Sequence, residues 1–130
     1  GLAASVSGSL AATVDPFLYT ITCTVRKGRS PEEVEDALGV ELRRVMLEPL
    51  TLAELNKAIK QAKAMFAYSS ESVSNLGFWY GFAETLIDHS WFSNYMQFLT
   101  RVTQDDVHRV AQKVLEQSNR TIGYYISNAS

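Results

Sequence analysis

At Ser30 the spacing of apolar residues changes from every second position to every third or fourth, and a chain patterned this way must lay a small sheet against helices. Before that point Leu2, Ala4, Val6, Leu10 and Ala12 alternate with small residues, mostly serine and glycine. After a turn at Asp15-Pro16, Phe17, Tyr19, Ile21, Cys23 and Val25 fall on one face and Thr20, Thr22 and Thr24 on the other. The spacing predicts strands over 2–12 and 17–25, paired as a hairpin. A solvated sheet face accounts for the threonines more simply than a binding face does.

Helix starts then follow with a mechanism for each. Ser30-Pro31-Glu32-Glu33 offers a hydroxyl cap, a proline at the first helical position and a glutamate to close a capping box. The helix predicted over 31–47 carries Val34, Leu38, Leu42, Val45 and Met46 on one stripe and stops before Pro49. Thr51-Leu52-Ala53-Glu54 opens a second, over 52–70, with Leu55, Ile59, Ala62, Phe66 and Ser69 inward. The same stripe runs on through Val73 and Leu76, so a break at Ser69-Ser70 and continuation to Gly77 both fit. Further helices are expected over 72–88, 93–100 and 104–116, the last begun by Thr103-Gln104-Asp105-Asp106. Thr121 to Ile126, rich in β-branched and aromatic residues, reads as a closing strand. The expectation is one α+β unit over 1–130, two layers deep, with a largely antiparallel sheet packed on helices.

Eight of the fourteen aromatic residues lie between Phe78 and Phe98. Phe78, Trp79, Phe82, Trp91 and Phe92 are therefore candidates for a surface that meets a neighbouring domain or a substrate; filling the unit's own core explains them equally well.

Composition closes off other classes. Twelve basic against fourteen acidic residues give a net charge of −2 at a pI near 5.7, which supplies no field for nucleic acid or anionic lipid. No apolar run approaches the ~18 residues of a membrane span. The single Cys23 excludes an internal disulfide, and placed mid-strand on the apolar face it is expected to be an inert small hydrophobe. The opening Gly1-Leu2-Ala3-Ala4 has no initiator Met and no leader pattern, from which an excised piece of a longer polypeptide is expected.

Nothing in the spacing builds a catalytic centre. His89 and His108 belong to neither a His-x-x-Glu-His nor a His-Glu-x-x-His arrangement, the spacings that bring two imidazoles to one point on a helix. A zinc site from Cys23, Asp105 and His108 lacks any spacing that makes three ligands converge. His108 reads more simply as a solvated helix residue near Asp105, His89 as a loop or helix-end residue beside Asp88, and Glu71 and Glu84 as surface carboxylates. No catalytic or metal-binding residue is expected in this chain.

The order of segments carries a resemblance. The opening Gly-Leu-Ala-Ala-Ser-Val-Ser, the strand beginning Asp-Pro-Phe-Leu-Tyr-Thr-Ile and the helix Ser-Pro-Glu-Glu-Val-Glu-Asp-Ala-Leu are followed by Glu48 to Leu55, Lys63 and Glu71, and then by Val102 to Val107 with Ala111 and Leu115. Together they resemble the second half of a domain of the pitrilysin or insulinase family of zinc peptidases, over nearly the whole chain. The resemblance implies a unit like those of the mitochondrial processing peptidase, truncated before its first strand and helix. It implies that zinc sits in a partner domain or subunit carrying His-x-x-Glu-His, that peptides are the substrates, and that this chain, with no cofactor of its own, is a metal-free relative completing the chamber. A scaffold subunit without proteolysis is the other role that the family offers, and an unrelated α+β module using its aromatic surface is the alternative outside it. Secreted bacterial members point to the periplasm or envelope, although no residue here fixes a compartment. In some members the metal-free domain lends an arginine and a tyrosine to the scissile carbonyl, the tyrosine in a Gly-Leu-x-Tyr context. The matching position here is Ala4, which has no donor for an oxyanion, and the arginine would precede Gly1.

Overall fold

The hairpin comes first. A computed structural model describes residues 1–126 and places strands β1 (Ala3–Leu10) and β2 (Tyr19–Val25) antiparallel, from Leu10 opposite Tyr19 to Ala3 opposite Val25. Val6 faces Cys23 and Gly8 faces Ile21, so these pairs share the apolar side, while Ser5, Ser7 and Ser9 pair with Thr24, Thr22 and Thr20 on the polar side. A shift between Ala3 and Ser5 interrupts the alternation at Ala4, which takes Ala4 out of the regular series expected to run from Leu2 to Ala12. Both strands are shorter than their alternating patterns, because the ladder ends at Leu10 and Tyr19 and leaves residues 11–18, with Pro16, as a broad loop. Tyr19 leans diagonally across β1 onto Gly8, where an added Cβ would meet its hydroxyl.

Among the described residues five helices follow: α1 (Pro31–Leu47), α2 (Leu52–Ser69), α3 (Val73–Leu86), α4 (His89–Arg101) and α5 (Gln104–Val114), with a short 3-10 turn at Gln117–Asn119. In α1 the Ser30 hydroxyl accepts from the Glu33 N–H at 3.2 Å and the Glu33 carboxylate accepts from the Ser30 N–H at 2.8 Å, the reciprocal cap its sequence encodes. Thr51 with Glu54 and Thr103 with Asp106 form the same device on α2 and α5. Hydrogen bonds from the Thr51 N–H and hydroxyl hold the Glu54 carboxyl below its ordinary pKa, and those from Thr103 do so for Asp106.

The ambiguous stripe of α2 breaks after Ser69, where the Ser69 and Ser70 hydroxyls donate to the Phe66 carbonyl and Ser72 caps α3. Helix α4 begins four residues before the expected 93 because the Asp88 carboxylate accepts from the Ser90 and Trp91 N–H groups, at 2.7 and 3.2 Å. The expected strand over 121–126 is a correction: it joins no ladder, and the sheet of the described residues has two strands. Strand-forming residues also need a free edge to pair with, and Tyr124 is instead held on α1, its hydroxyl donating to the Glu35 carboxylate. The last four residues of the 1–130 unit lie outside the described residues.

That hydrogen bond has a measurable signature. Donation to Glu35, then desolvation and the charges of Glu35, Glu32 and Asp36, push the Tyr124 phenol up to about 12. A raised folded pKa means that the contribution of the bond is complete below the ordinary value near 10 and is lost as pH rises through about 12. A phenolate absorbance titration is expected to show a late step near 12, and Tyr124→Phe should delete it. A single step with every tyrosine near 10 would show that the contact does not form.

Among the described residues the buried apolar side chains are few and spread over the helices: Val34, Leu55, Ala83, Phe92 and Ala111. The chain exposes 10130 Å², whereas a compact monomer of this mass exposes about 6,900 Å². Large apolar side chains such as Leu10, Phe17, Val73 and Ile87 account for part of the surplus. Among the described residues, no helix is long and apolar enough to cross a membrane.

Candidate functional site

The aromatic residues concentrated between Phe78 and Phe98 meet where α3 and α4 turn back on each other. Phe92 is 5% exposed and has its ring centroid 4.9 Å from Tyr80, 6.3 Å from Trp79 and 4.9 Å from Phe66, so it ties α2, α3 and α4 together. Phe78, Trp79 and Phe82 form a second group on α3, with centroids 5.4 to 6.0 Å apart. Trp91 stands 5.4 Å from Tyr95. All five sequence candidates thus belong to one helical hairpin, but they divide by exposure: Phe92 is core, Trp79, Phe82 and Trp91 are half-buried, and Phe78 is 61% exposed. Phe66 and Tyr95 join the cluster, stacked at 5.1 Å. The inward stripe of α2 already points to Phe66; no sequence signal singles out Tyr95.

Two clefts open beside this cluster. One, of about 360 Å³, lies among Ala62, Phe66, Trp79 and Tyr95 with Ala12 and Trp91 at its edge. The other, of about 380 Å³, lies between the hairpin loop and the α3–α4 turn and shares Ala12 and Trp91 with the first. Loop 11–18, read from sequence as two strand ends around a turn at Asp15-Pro16, supplies one wall of it.

The ionisable residues are dispersed. Glu84 accepts from the His89 N–H at 2.8 Å and lies 3.0 Å from its Nδ1, and these bonds, the backbone one foremost, hold the Glu84 carboxyl below its ordinary range. Hydrogen bonds from Ser90 lower Asp88 likewise. His89 is the first residue of α4, at a helix end as expected. His108 is not the solvated residue that its neighbour Asp105 suggests: it is half-buried, with Nε2 donating to the Met46 carbonyl at 2.9 Å. Glu71 is exposed in the α2–α3 turn, Cys23 is half-buried on the apolar side of the sheet, and Ala4 is exposed at the strand irregularity. Among the described residues no three His, Cys, Asp or Glu side chains converge as a metal site would require, so this donor set does not fit zinc.

The fold, an α+β arrangement as expected from the sequence, is shared with solved structures of protease domains. In particular, the chain is similar to the inactive peptidase domain of a candidate zinc protease from Bordetella parapertussis, with a TM-score of 0.86 and 24% identity over 99% of this chain and 69% of that one. A candidate zinc protease from Bordetella pertussis Tohama I superposes with a TM-score of 0.83 at 24% identity, over 98% of this chain and 70% of that one. A protease from Helicobacter pylori gives 0.80 at 19% identity over 91% of this chain, which spans 29% of its length. No family model matches the sequence, and comparison with curated proteins gives no significant match.

Proposed function

We propose that this chain is a non-catalytic peptidase domain of a zinc metalloendopeptidase, acting by pairing with a domain that carries His-x-x-Glu-His and so completing the chamber in which peptides are cut. The observation that carries this reading is the superposition, over 99% of the chain, on a domain described as inactive. Two further features support it. Among the described residues no donor set fits zinc, so in this reading the metal would be held by the partner domain, where it would supply Lewis-acid chemistry at the scissile bond. The exposed surface, roughly 3,000 Å² above that of a compact monomer, leaves area for further chain of the same domain and for a partner to cover.

Phe78, Trp79, Phe82 and Trp91 are assigned to the interface or the chamber wall, with Phe92 fixing them from behind. Ala4, lacking a donor, shapes the wall without touching the reacting atoms. The test is reconstitution of this chain with the His-x-x-Glu-His subunit or domain of the same organism, assayed on an internally quenched decapeptide. The expected result is no hydrolysis by this chain alone, a complex on gel filtration, and a gain of about tenfold or more over the catalytic partner alone, from positioning substrate between two walls. Chelator-sensitive hydrolysis by the isolated chain would overturn the proposal. A complex whose formation leaves activity unchanged would favour the scaffold role instead.

A further inference from the structure

Helix α2 has two opposite faces. Leu55, Ile59 and Phe66 turn into the fold, and half a turn away Lys57, Lys60, Ala64, Ala67 and Tyr68 are all exposed. Positions 57, 60, 64 and 67, with Glu71 just past the helix end, recur in alternating steps of three and four, the spacing of a seam along which a second helix can lie. Charge is unbalanced from one end of this seam to the other. Lys57 and Lys60 stand at its start, the two alanines at its middle and the exposed Glu71 at its end. The last turn of α2 carries no basic residue, so nothing on the helix offsets the negative end of its dipole beside Glu71. Among the described residues none of Lys57, Lys60 and Glu71 takes part in an ion pair. Tyr68, at 71% exposed, flanks the seam and leaves apolar area to be covered.

We infer that a second copy of this chain docks on this face, α2 against α2, antiparallel about a two-fold axis. Antiparallel pairing sets Ala64 of each copy on Ala67 of the other, where short side chains let the helices approach closely, and sets Lys60 of each on Glu71 of the other. The two-fold axis makes the Lys60–Glu71 contact occur twice, and each lysine also meets the negative end of its neighbour's helix. A parallel pairing would oppose Lys60 to Lys60 and Glu71 to Glu71, so charge complementarity selects the antiparallel one. One helix face supplies an interface at the low end of the specific range, about 1,200 Å² in total. The dimer is therefore weak, with a Kd on the order of 10–100 μM. The inference needs neither zinc nor a catalytic domain, and it uses the side of α2 turned away from the contact of Phe66 with Phe92.

Sedimentation equilibrium of the full chain, from about 5 to 500 μM so as to bracket that Kd, is expected to show a reversible shift from monomer to dimer. Lys60→Glu and Glu71→Lys lie at exposed positions, and each puts like charges together twice across the axis. Each is expected to weaken association roughly tenfold or more. Mixing the two single variants in equal amounts should restore it, because both contacts of the mixed dimer then join a lysine to a glutamate. Ala64→Arg is expected to abolish dimerisation by blocking the close approach of the helices. A monomer at every concentration, a dimer indifferent to these substitutions, or a mixture that associates no better than the separate variants would each overturn the proposal.

Discussion

Replacing Phe92 by alanine is expected to cost about 3–5 kcal/mol of folding stability, the range for deleting a buried phenylalanine. The side chain is 5% exposed and within ring-contact distance of Phe66, Tyr80 and Trp79, so its loss opens a cavity at the junction of three helices. Against a total of about 5–15 kcal/mol for a domain, that is a large share. Phe78→Ala is the control: at 61% exposed, its contacts with Trp79 and Phe82 put its cost near 1 kcal/mol. Urea midpoints for the two variants decide the matter. Equal shifts would mean that the cluster is not organised around Phe92, whereas a small shift for Phe78→Ala together with a weakened complex with the catalytic partner would place that ring at the interface.

A second large effect is expected from Ala83→Asp. Ala83 is 2% exposed on α3, in the helix pair joined by the Asp88 turn, and among the described residues no charged side chain is buried that could pair with a carboxylate there. An uncompensated buried charge costs about 3–5 kcal/mol. The pH dependence identifies the cause: burial raises the pKa of the introduced carboxyl, so the penalty is largest at neutral pH and shrinks as the pH falls through that raised value. A midpoint unchanged from the parent at pH 7 would falsify the close packing of α3 on α4. A penalty that does not respond to acid would assign the loss to steric crowding instead.

The parts of this fold that could be read in advance are those determined by neighbours in sequence. Ser30, Thr51 and Thr103 meet their glutamate or aspartate partners three residues on, so three helix starts are encoded locally and all three form. The serine and threonine side of the hairpin is likewise set by alternation alone. Misreadings fall where the outcome depends on distant chain. Thr121 to Ile126 has strand composition, but whether a strand forms depends on an available edge, and Tyr124 meets Glu35 on α1 instead. Asp88 was legible as a cap in principle, but the surrounding apolar run conceals the interruption between α3 and α4. In the candidate site the aromatic concentration was visible, and its division into a buried Phe92 and an exposed Phe78 was not, because exposure is decided by how α2 lies across the helical pair.

The Met46 carbonyl, near the end of α1, accepts from the side chains of His108 and Gln112 on α5, at 2.9 and 3.3 Å, across separations of 62 and 66 residues. The contacts of α3 with α4, by contrast, link helices separated by a two-residue connection. Bringing distant ends together carries an entropic penalty that grows with the logarithm of the loop, so the α1–α5 clasp is expected to close after the local helical pair. The first and fifth helices should therefore open as one cooperative unit, and amide hydrogens on both should exchange with solvent at a common rate while α3 and α4 remain protected.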